Sequence, residues 1–329
     1  MNNFGKLFRV GIYGESHGKE VGILVDGCPA GLSLGERDFE KDLLRRKSGA
    51  KGTTPRLESD QPIIKTGVFN GKTTGAPILI TFENKNIKSK DYKSLKDIPR
   101  PGHADFVAMK KFAGFNDNRG GGHFSGRLTL GLVAAGVVAK KIIRPVTVKA
   151  ALIEAGGDTD IERAVNKAIE KNDSIGGIIE CKVQDVPVGL GEPFFDSVES
   201  LVSHMMFSIP AIKGIEFGAG FKAAKMTGSQ HNDLIINTHG KTETNHAGGI
   251  NGGITNGNPI IFRIVVKPTS SISLPQETVN MKTGERTNLV IEGRHDVCIA
   301  LRVPVVVECA AAVVLADLMF QEQKIPRIQ

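Results

Sequence analysis

The chain has 329 residues, 40% of them hydrophobic, enough for a sizeable core in one large domain or two ordinary ones. Its 42 Lys plus Arg against 35 Asp plus Glu give a net charge of +7, which favours anionic ligands. The basic residues are scattered rather than gathered in an arm, and with no Trp and only Tyr13 and Tyr92 there is little to stack on nucleic-acid bases.

The N-terminal stretch MNNFGKLFRVGIYG lacks an apolar leader region. The C-terminal run Val303 to Ala316 is interrupted by Pro304 and Glu308, short of the ~20 residues a bilayer needs. Cys28, Cys181, Cys298 and Cys309 form no C-x-x-C pair, so they read as buried thiols of a cytoplasmic protein, with no membrane, nucleic acid or metal expected. The 39 glycines, about 12% of the chain against ~7% in an average protein, predict many turns and close backbone approaches.

Leu7 to Tyr13 and Val21 to Asp26 are predicted strands joined by the tight connection Gly14 to Gly18, which places Glu15, Ser16 and His17 at a strand end. Ser33-x-x-Glu36 has the form of a capping box for a helix running to about Lys47, with Phe39 and Leu43 on its buried face. Arg45, Arg46 and Lys47 close that helix. With Lys51 and Arg56 in the following loop they form a basic group suited to phosphate or carboxylate, although cations in a last turn also simply complement the helix dipole. Residues 78–83 read as a strand, and 84–99 as an exposed basic loop.

Arg100 to Arg127 is the densest stretch. Pro101 and Gly102 put His103 on a turn, Gly120, Gly121 and Gly122 let backbone approach an anion or a flat ring, and Arg119 and Arg127 flank them. Gly126 to Ile143 is apolar on most faces and contains Gly131 and Gly136, which predicts a buried helix closely packed on its neighbours. Thr159-x-x-Glu162 and Asp196-x-x-Glu199 predict two amphipathic helices, and residues 177–186, 212–217 and 260–267 predict strands.

Gly218 to Ala223 is a formal G-x-G-x-x-A, but Gly228 leaves no room for the crossover helix that a dinucleotide fold needs. A second glycine loop, Asn245 to Gly253, leads to a strand ending in Lys267-Pro268-Thr269-Ser270-Ser271, where hydroxyls and a lysine could cradle an anion. Gly293-Arg294-His295-Asp296 then precedes a long apolar helix, as the first glycine loop precedes Gly126 to Ile143. That parallel suggests an internal pseudo-duplication, and no linker or shift in composition divides the chain, so one domain over residues 1–329 is expected.

Taken in order, GESHG, RPGHAD, the glycine loop before a small-residue helix, NHAGG, KPTSS and GRHD resemble the chorismate synthase family from about Phe4 to Arg327. The resemblance implies a mixed α+β fold, a single-domain sandwich of antiparallel sheets around a helical layer, assembled as a homotetramer. It implies a lyase that eliminates phosphate and a ring proton, anti, from 5-enolpyruvylshikimate 3-phosphate to give chorismate, with reduced FMN required and no net redox change.

By the same resemblance His17 would protonate the leaving phosphate, His103 would manage a proton beside the flavin, and Asp296 would assist removal of the ring proton. FMN would lie against His123, Phe124, Ser125, Gly252, Lys267, Pro268, Thr269, Ser270, Ser271 and Arg294, while Arg45, Arg46, Lys51 and Arg127 would face substrate or NADP phosphate. His123-Phe124-Ser125-Gly126-Arg127 replaces the Arg-Ser-Ser-Ala-Arg common in the family, and Lys51 stands where a second arginine is usual.

Two other readings share part of this pattern. A flavin reductase would also carry flavin contacts and cations but would turn over nicotinamide without the shikimate ester. A basic RNA-binding protein would need the aromatic platforms this chain lacks. The histidines show no metal-ligand spacing such as H-E-x-x-H.

Overall fold

The structure is a computed structural model and describes residues 2–55, 58–86, 97–291, 295–326 and 328. Two antiparallel sheets enclose a pair of central helices. The first sheet has the order β1 (Asn3–Phe4), β2 (Arg9–Gly14), β3 (Glu20–Asp26), β7 (Ile78–Glu83), β4 (Ile63–Ile64), and the hairpin β5–β6 (Val68–Phe69, Lys72–Thr73) lies between the last two in sequence. In the second, β10 (Ile212–Phe217), β13 (Ile260–Val266), β9 (Gly177–Gln184) and β8 (Thr147–Ala155) are neighbours in that order.

Helix α3 (Thr129–Ile142) packs on the first sheet, α7 (Pro304–Gln321) on the second, and the two helices pack on each other. The layered α+β arrangement expected from the sequence is therefore present. Each central helix is entered through a 3-10 turn, Gly126–Leu128 for α3 and Ile299–Arg302 for α7.

Local sequence explains the layers. In β13 the alternation of Ile260, Phe262, Ile264 and Val266 puts four apolar side chains on one face, in register with Val183, Cys181, Ile179 and Gly177 of β9. Fully burying each such large side chain stabilises the fold by roughly 1.5–3 kcal/mol. Helix α3 is buried nearly all round, and Gly136 permits its close approach to α7: a Cβ there would lie 2.1 Å from the Cβ of Cys309. Any larger residue at Gly136 would push the helices apart. Helix α7 has the length and composition of a membrane span, yet it is buried inside the fold, where Glu308 is neutralised by Arg45 and Lys140.

Three helix starts differ from their predicted caps. The first helical segment begins as a 3-10 turn at Glu36–Phe39 and continues as α1 (Glu40–Arg46); the Gly35 amide donates to the Asp38 carboxylate, and Ser33 instead bridges to Lys72. Helix α4 (Ile161–Glu170) is capped by Asp160, not Thr159, and α5 (Val198–Phe207) by Ser197, not Asp196, whose carboxylate pairs with Lys6. Strand β8, the short helix α2 (Asp105–Lys111) and the hairpins β5–β6 and β14–β15 (Gln276–Val279, Arg286–Leu289) have no counterpart among the predicted elements. After β10, Gly220–Lys225 forms a 3-10 turn followed only by the single-turn α6 (Gly228–His231), and β10 runs antiparallel to β13. The hairpin β11–β12 (Ile250–Asn251, Ile254–Thr255) completes the second glycine loop.

Candidate active site

A cavity of about 550 Å³ opens between the end of α1, the glycine loop, the segment after β13 and the turn into α7. That volume falls in the range of ligand-binding clefts, roughly 300–1,000 Å³.

The glycine loop organises one wall. Gly120, Gly121 and Gly122 all have positive φ, at 59°, 79° and 53°, a region closed to most side chains. Two of them also leave no room for a side chain, since a Cβ on Gly122 would meet the Asp117 carbonyl at 1.9 Å and one on Gly120 the His17 ring at 2.6 Å, while one on Gly121 would rest in ordinary contact with His103 Nε2 at 3.6 Å. The loop thus brings His17 and His103, far apart in sequence, to adjacent glycines. His103 and Ser16 line the cavity, and His17, 4% exposed, sits behind Gly120.

His103 is held by its own turn. Its Nδ1 lies 2.6 Å from Asp105 Oδ1 and 3.0 Å from Arg100 Nη2, and Arg100 grips the same carboxylate through Nε at 2.7 Å and Nη2 at 2.8 Å. Arg100 Nη1 donates to Ser271 Oγ at 3.0 Å, tying this turn to the segment after β13. There Lys267 Nζ donates to the Gly102 carbonyl at 3.0 Å and to Ser270 Oγ at 2.9 Å. Burial, followed by the charge of Lys213, lowers the Lys267 pKa. Pro268, Thr269, Ser270 and Ser271 all reach the cavity, as do Phe124 and Ser125. His123 also borders it, but its ring nitrogens lie 2.8 Å from the Gly14 carbonyl and 3.1 Å from Asn2 Oδ1, contacts that anchor the loop to β2.

The opposite wall is cationic. Arg46 Nε donates to Thr129 Oγ1 and Nη2 to the Gly126 carbonyl, both at 2.9 Å; Arg127 Nη1 reaches Asp60 Oδ1 at 2.9 Å; Arg302 Nη1 reaches Asp296 Oδ1 at 3.1 Å. Asp60 lies 3.6 Å from Arg46 Nη1, and Asp296 Oδ1 also accepts from the Thr54 amide at 2.9 Å. Burial, then repulsion from Arg302, pulls the Arg46 pKa down to about 9, only partly opposed by Asp60. The guanidinium stays charged at neutral pH, and the shift reflects its burial first and the neighbouring arginines second.

Several residues named from the sequence stand elsewhere. Arg45 points away from the cavity into a bidentate pair with Glu308, both bonds 2.7 Å, because neighbouring helical residues project about 100° apart. Lys51 is exposed, and Gly252 occupies the exposed turn of β11–β12; neither borders the cavity. Arg294 and Arg56 lie outside the described residues. Asp60 and Arg302 belong to the site without having been expected there, and Arg100, Asp105 and Ser16 fall in stretches the sequence marks but were given no role. For Arg100 and Asp105 the sequence does carry a signal, since they bracket His103 at three residues before and two after.

An FMN-sized anionic ligand has suitable partners here. Thr269 Oγ1 borders the cavity, buried with no hydrogen-bond partner among the described residues, and a buried hydroxyl left this way costs stability unless a ligand or water satisfies it. Lys267, Ser270 and Ser271 line the same cavity.

Residues 8–320 match the protein family described as "Chorismate synthase". The chain is 63% identical to a chorismate synthase of Chitinophaga pinensis, over 100% of this chain and 99% of that one. It is 45% identical to one from Dehalococcoides mccartyi over 99% of both. Its fold is similar to that in a solved "Crystal Structure of Chorismate Synthase", with a TM-score of 0.74 and 26% identity over 97% of this chain and 93% of the other. With the family match spanning residues 8–320 and 63% identity over the whole length of the chain, this protein belongs to the chorismate synthase family, the lyases of the final step of the shikimate pathway.

Proposed function

We propose that the cavity binds 5-enolpyruvylshikimate 3-phosphate beside reduced FMN and acts as a carbon–oxygen lyase, releasing phosphate and a ring proton in an anti elimination to give chorismate. The observation that carries this reading is the convergence on one cavity of a glycine loop touching His17 and His103 with a wall of buried Arg46 and Arg127 and half-buried Arg302.

As the C–O bond breaks, negative charge develops on the departing phosphate. Buried, pre-positioned guanidinium groups stabilise such charge with little reorganisation, and His17, one glycine away from the cavity, is the acid that protonates the phosphate. Asp296, oriented by Arg302 and the Thr54 amide, is the carboxylate that assists proton removal. His103 handles a proton on the opposite wall. Phe124, Ser125, Lys267, Thr269, Ser270 and Ser271 would hold FMN, which when bound in reduced form supplies an electron-rich ring next to the reacting carbons without net redox change.

The free thiols of Cys28, Cys181, Cys298 and Cys309 suit a cytoplasmic setting. The exposed Phe194, Phe195 and Phe221 are apolar surface that assembly into a homotetramer would cover. An anaerobic assay with chemically reduced FMN and the shikimate ester tests the reading. Chorismate and phosphate are expected in equal amounts, with turnover lowered ~100-fold or more in both His17→Ala and His103→Ala. Near-normal turnover in both variants would remove the histidine mechanism.

A further inference from the structure

We propose that Asp105, clamped by Arg100, is a positioning residue that fixes the tautomer of His103, with the proton on Nδ1 and Nε2 left free to accept one. The inference rests on His103 being a proton-handling group of the reaction proposed above.

Two groups compete for His103 Nδ1, and the shorter contact decides between them. At 2.6 Å from Asp105 Oδ1, His103 Nδ1 must carry a proton, because a ring lone pair aimed at a carboxylate oxygen at that distance would be repelled. The competing arrangement, Arg100 Nη2 donating to an Nδ1 lone pair at 3.0 Å, would leave the 2.6 Å contact to Asp105 without a proton, and Nη2 already donates to Asp105 Oδ1 at 2.8 Å. Neutral His103 therefore keeps Nε2 unprotonated. That atom faces Gly121, where the missing side chain leaves space.

Asp105 has little freedom to do anything else. Its second oxygen accepts from Arg100 Nε at 2.7 Å and from the Arg100 amide at 3.2 Å, and the Arg100 and Asp105 side chains are each 7% exposed. Burial opposes ionisation of Asp105, but the hydrogen bonds from Arg100 and His103 outweigh it and hold the carboxylate well below its usual range. From other elements, the charged group nearest this turn is Lys267, bonded to the Gly102 carbonyl, and Ser271 accepts from Arg100. None of these offers Nδ1 an alternative acceptor.

Asp105→Asn separates this role from a packing role. The amide oxygen is needed where Arg100 N and Nε both donate, which turns the NH₂ toward Nδ1 and moves the imidazole proton to Nε2. Nitrogen-15 spectra of histidine-labelled, ligand-free protein, with the His103 signals assigned by their loss in His103→Ala, should show the Nδ1–H form in the parent and the Nε2–H form in Asp105→Asn. Turnover of the shikimate ester should fall at least ~10-fold with KM little changed, and the substitution should cost nothing further in a His103→Ala background.

A normal tautomer and normal kcat in Asp105→Asn, with His103→Ala slow, overturns this inference alone. A fully active His103→Ala overturns the underlying reading as well. Should the asparagine variant not fold, Asp105→Glu is measured in both backgrounds: no loss, or a loss that vanishes beside His103→Ala, supports the inference, and an additive loss overturns it.

Discussion

Gly120 stands against His17 so closely that a Cβ at Gly120 would lie 2.6 Å from both Cδ2 and Nε2 of the imidazole and 2.9 Å from Ser16 Oγ. The missing side chain is what lets the buried His17 ring lie against a residue that lines the cavity, and the positive φ of 59° makes the position doubly restrictive.

Gly120→Ala should therefore lower turnover by ~100-fold or more, close to the loss of His17 itself, because the ring must move to make room. A modest loss of stability should accompany it. Circular dichroism and thermal melting will separate the two effects, and a folded Gly120→Ala with parental kcat would show that His17 does not act through this contact.

Arg45 and Arg46 make a second test, since adjacent residues have opposite surroundings. Arg45→Ala removes two hydrogen bonds from buried Glu308, which keeps Lys140 Nζ at 3.1 Å and the Ala150 amide at 2.9 Å, so the expected cost is roughly 1–3 kcal/mol of stability. Activity per folded molecule should be retained. Arg46→Ala should instead weaken binding of the phosphate ester by ~1.5–3 kcal/mol, the usual worth of a hydrogen bond to a charged group. Equilibrium binding beside denaturant titration checks the pair, and the reverse pattern would relocate the anion site.

Acid sensitivity follows from the same network. Burial works against ionisation of Asp42 and Glu308, but hydrogen bonds from Lys140 to Asp42 and from Arg45 to Glu308, with the charges of both cations, lower the two pKa values overall. A depressed folded pKa contributes stability that is present above the unfolded carboxylate value, near ~4, and is lost as pH falls through the folded one. The thermal midpoint should thus hold from pH 7 to about pH 5 and fall steeply below about pH 4. A midpoint unchanged down to pH 3 would mean that the network contributes nothing to folding.

Much of the fold is legible in the amino-acid sequence, and the gaps have physical causes. Strands β7, β10 and β13 announce themselves as short β-branched or aromatic runs, whereas β8, TVKAALIEA, has the alanines, leucine and glutamate of a helix and becomes a strand only by pairing with β9. The caps of α4 and α5 fall one residue from their expected places because two capping side chains stand together, and at α5 Lys6 occupies Asp196. Within the site, glycines and histidines are conspicuous because few roles suit them. The arginine wall is not legible as a whole, because Arg46, Asp60, Arg127 and Arg302 meet only when four distant segments converge. Even so, Phe39, Leu43 and Arg46 fall on one buried helical face, a spacing that separates Arg46 from Arg45.

The source of electrons for the proposed flavin is open to test as well. The formal fingerprint Gly218 to Ala223 follows β10, a strand antiparallel to β13, and leads into a 3-10 turn instead of the crossover helix whose N-terminus would face a pyrophosphate. The Glu216 carboxylate already accepts from the Phe221 amide at 3.1 Å, and its negative charge would repel a phosphate there. Lys51, exposed and away from the cavity, cannot make the bidentate phosphate contact an arginine provides. The protein should therefore not reduce its own flavin with NADPH and should depend on electrons supplied from outside. Anaerobic incubation with NADPH and oxidised FMN, followed by flavin absorbance, should show no bleaching above a protein-free control. Bleaching that keeps pace with chorismate formation, in protein free of contaminating reductase, would place a nicotinamide site in this chain after all.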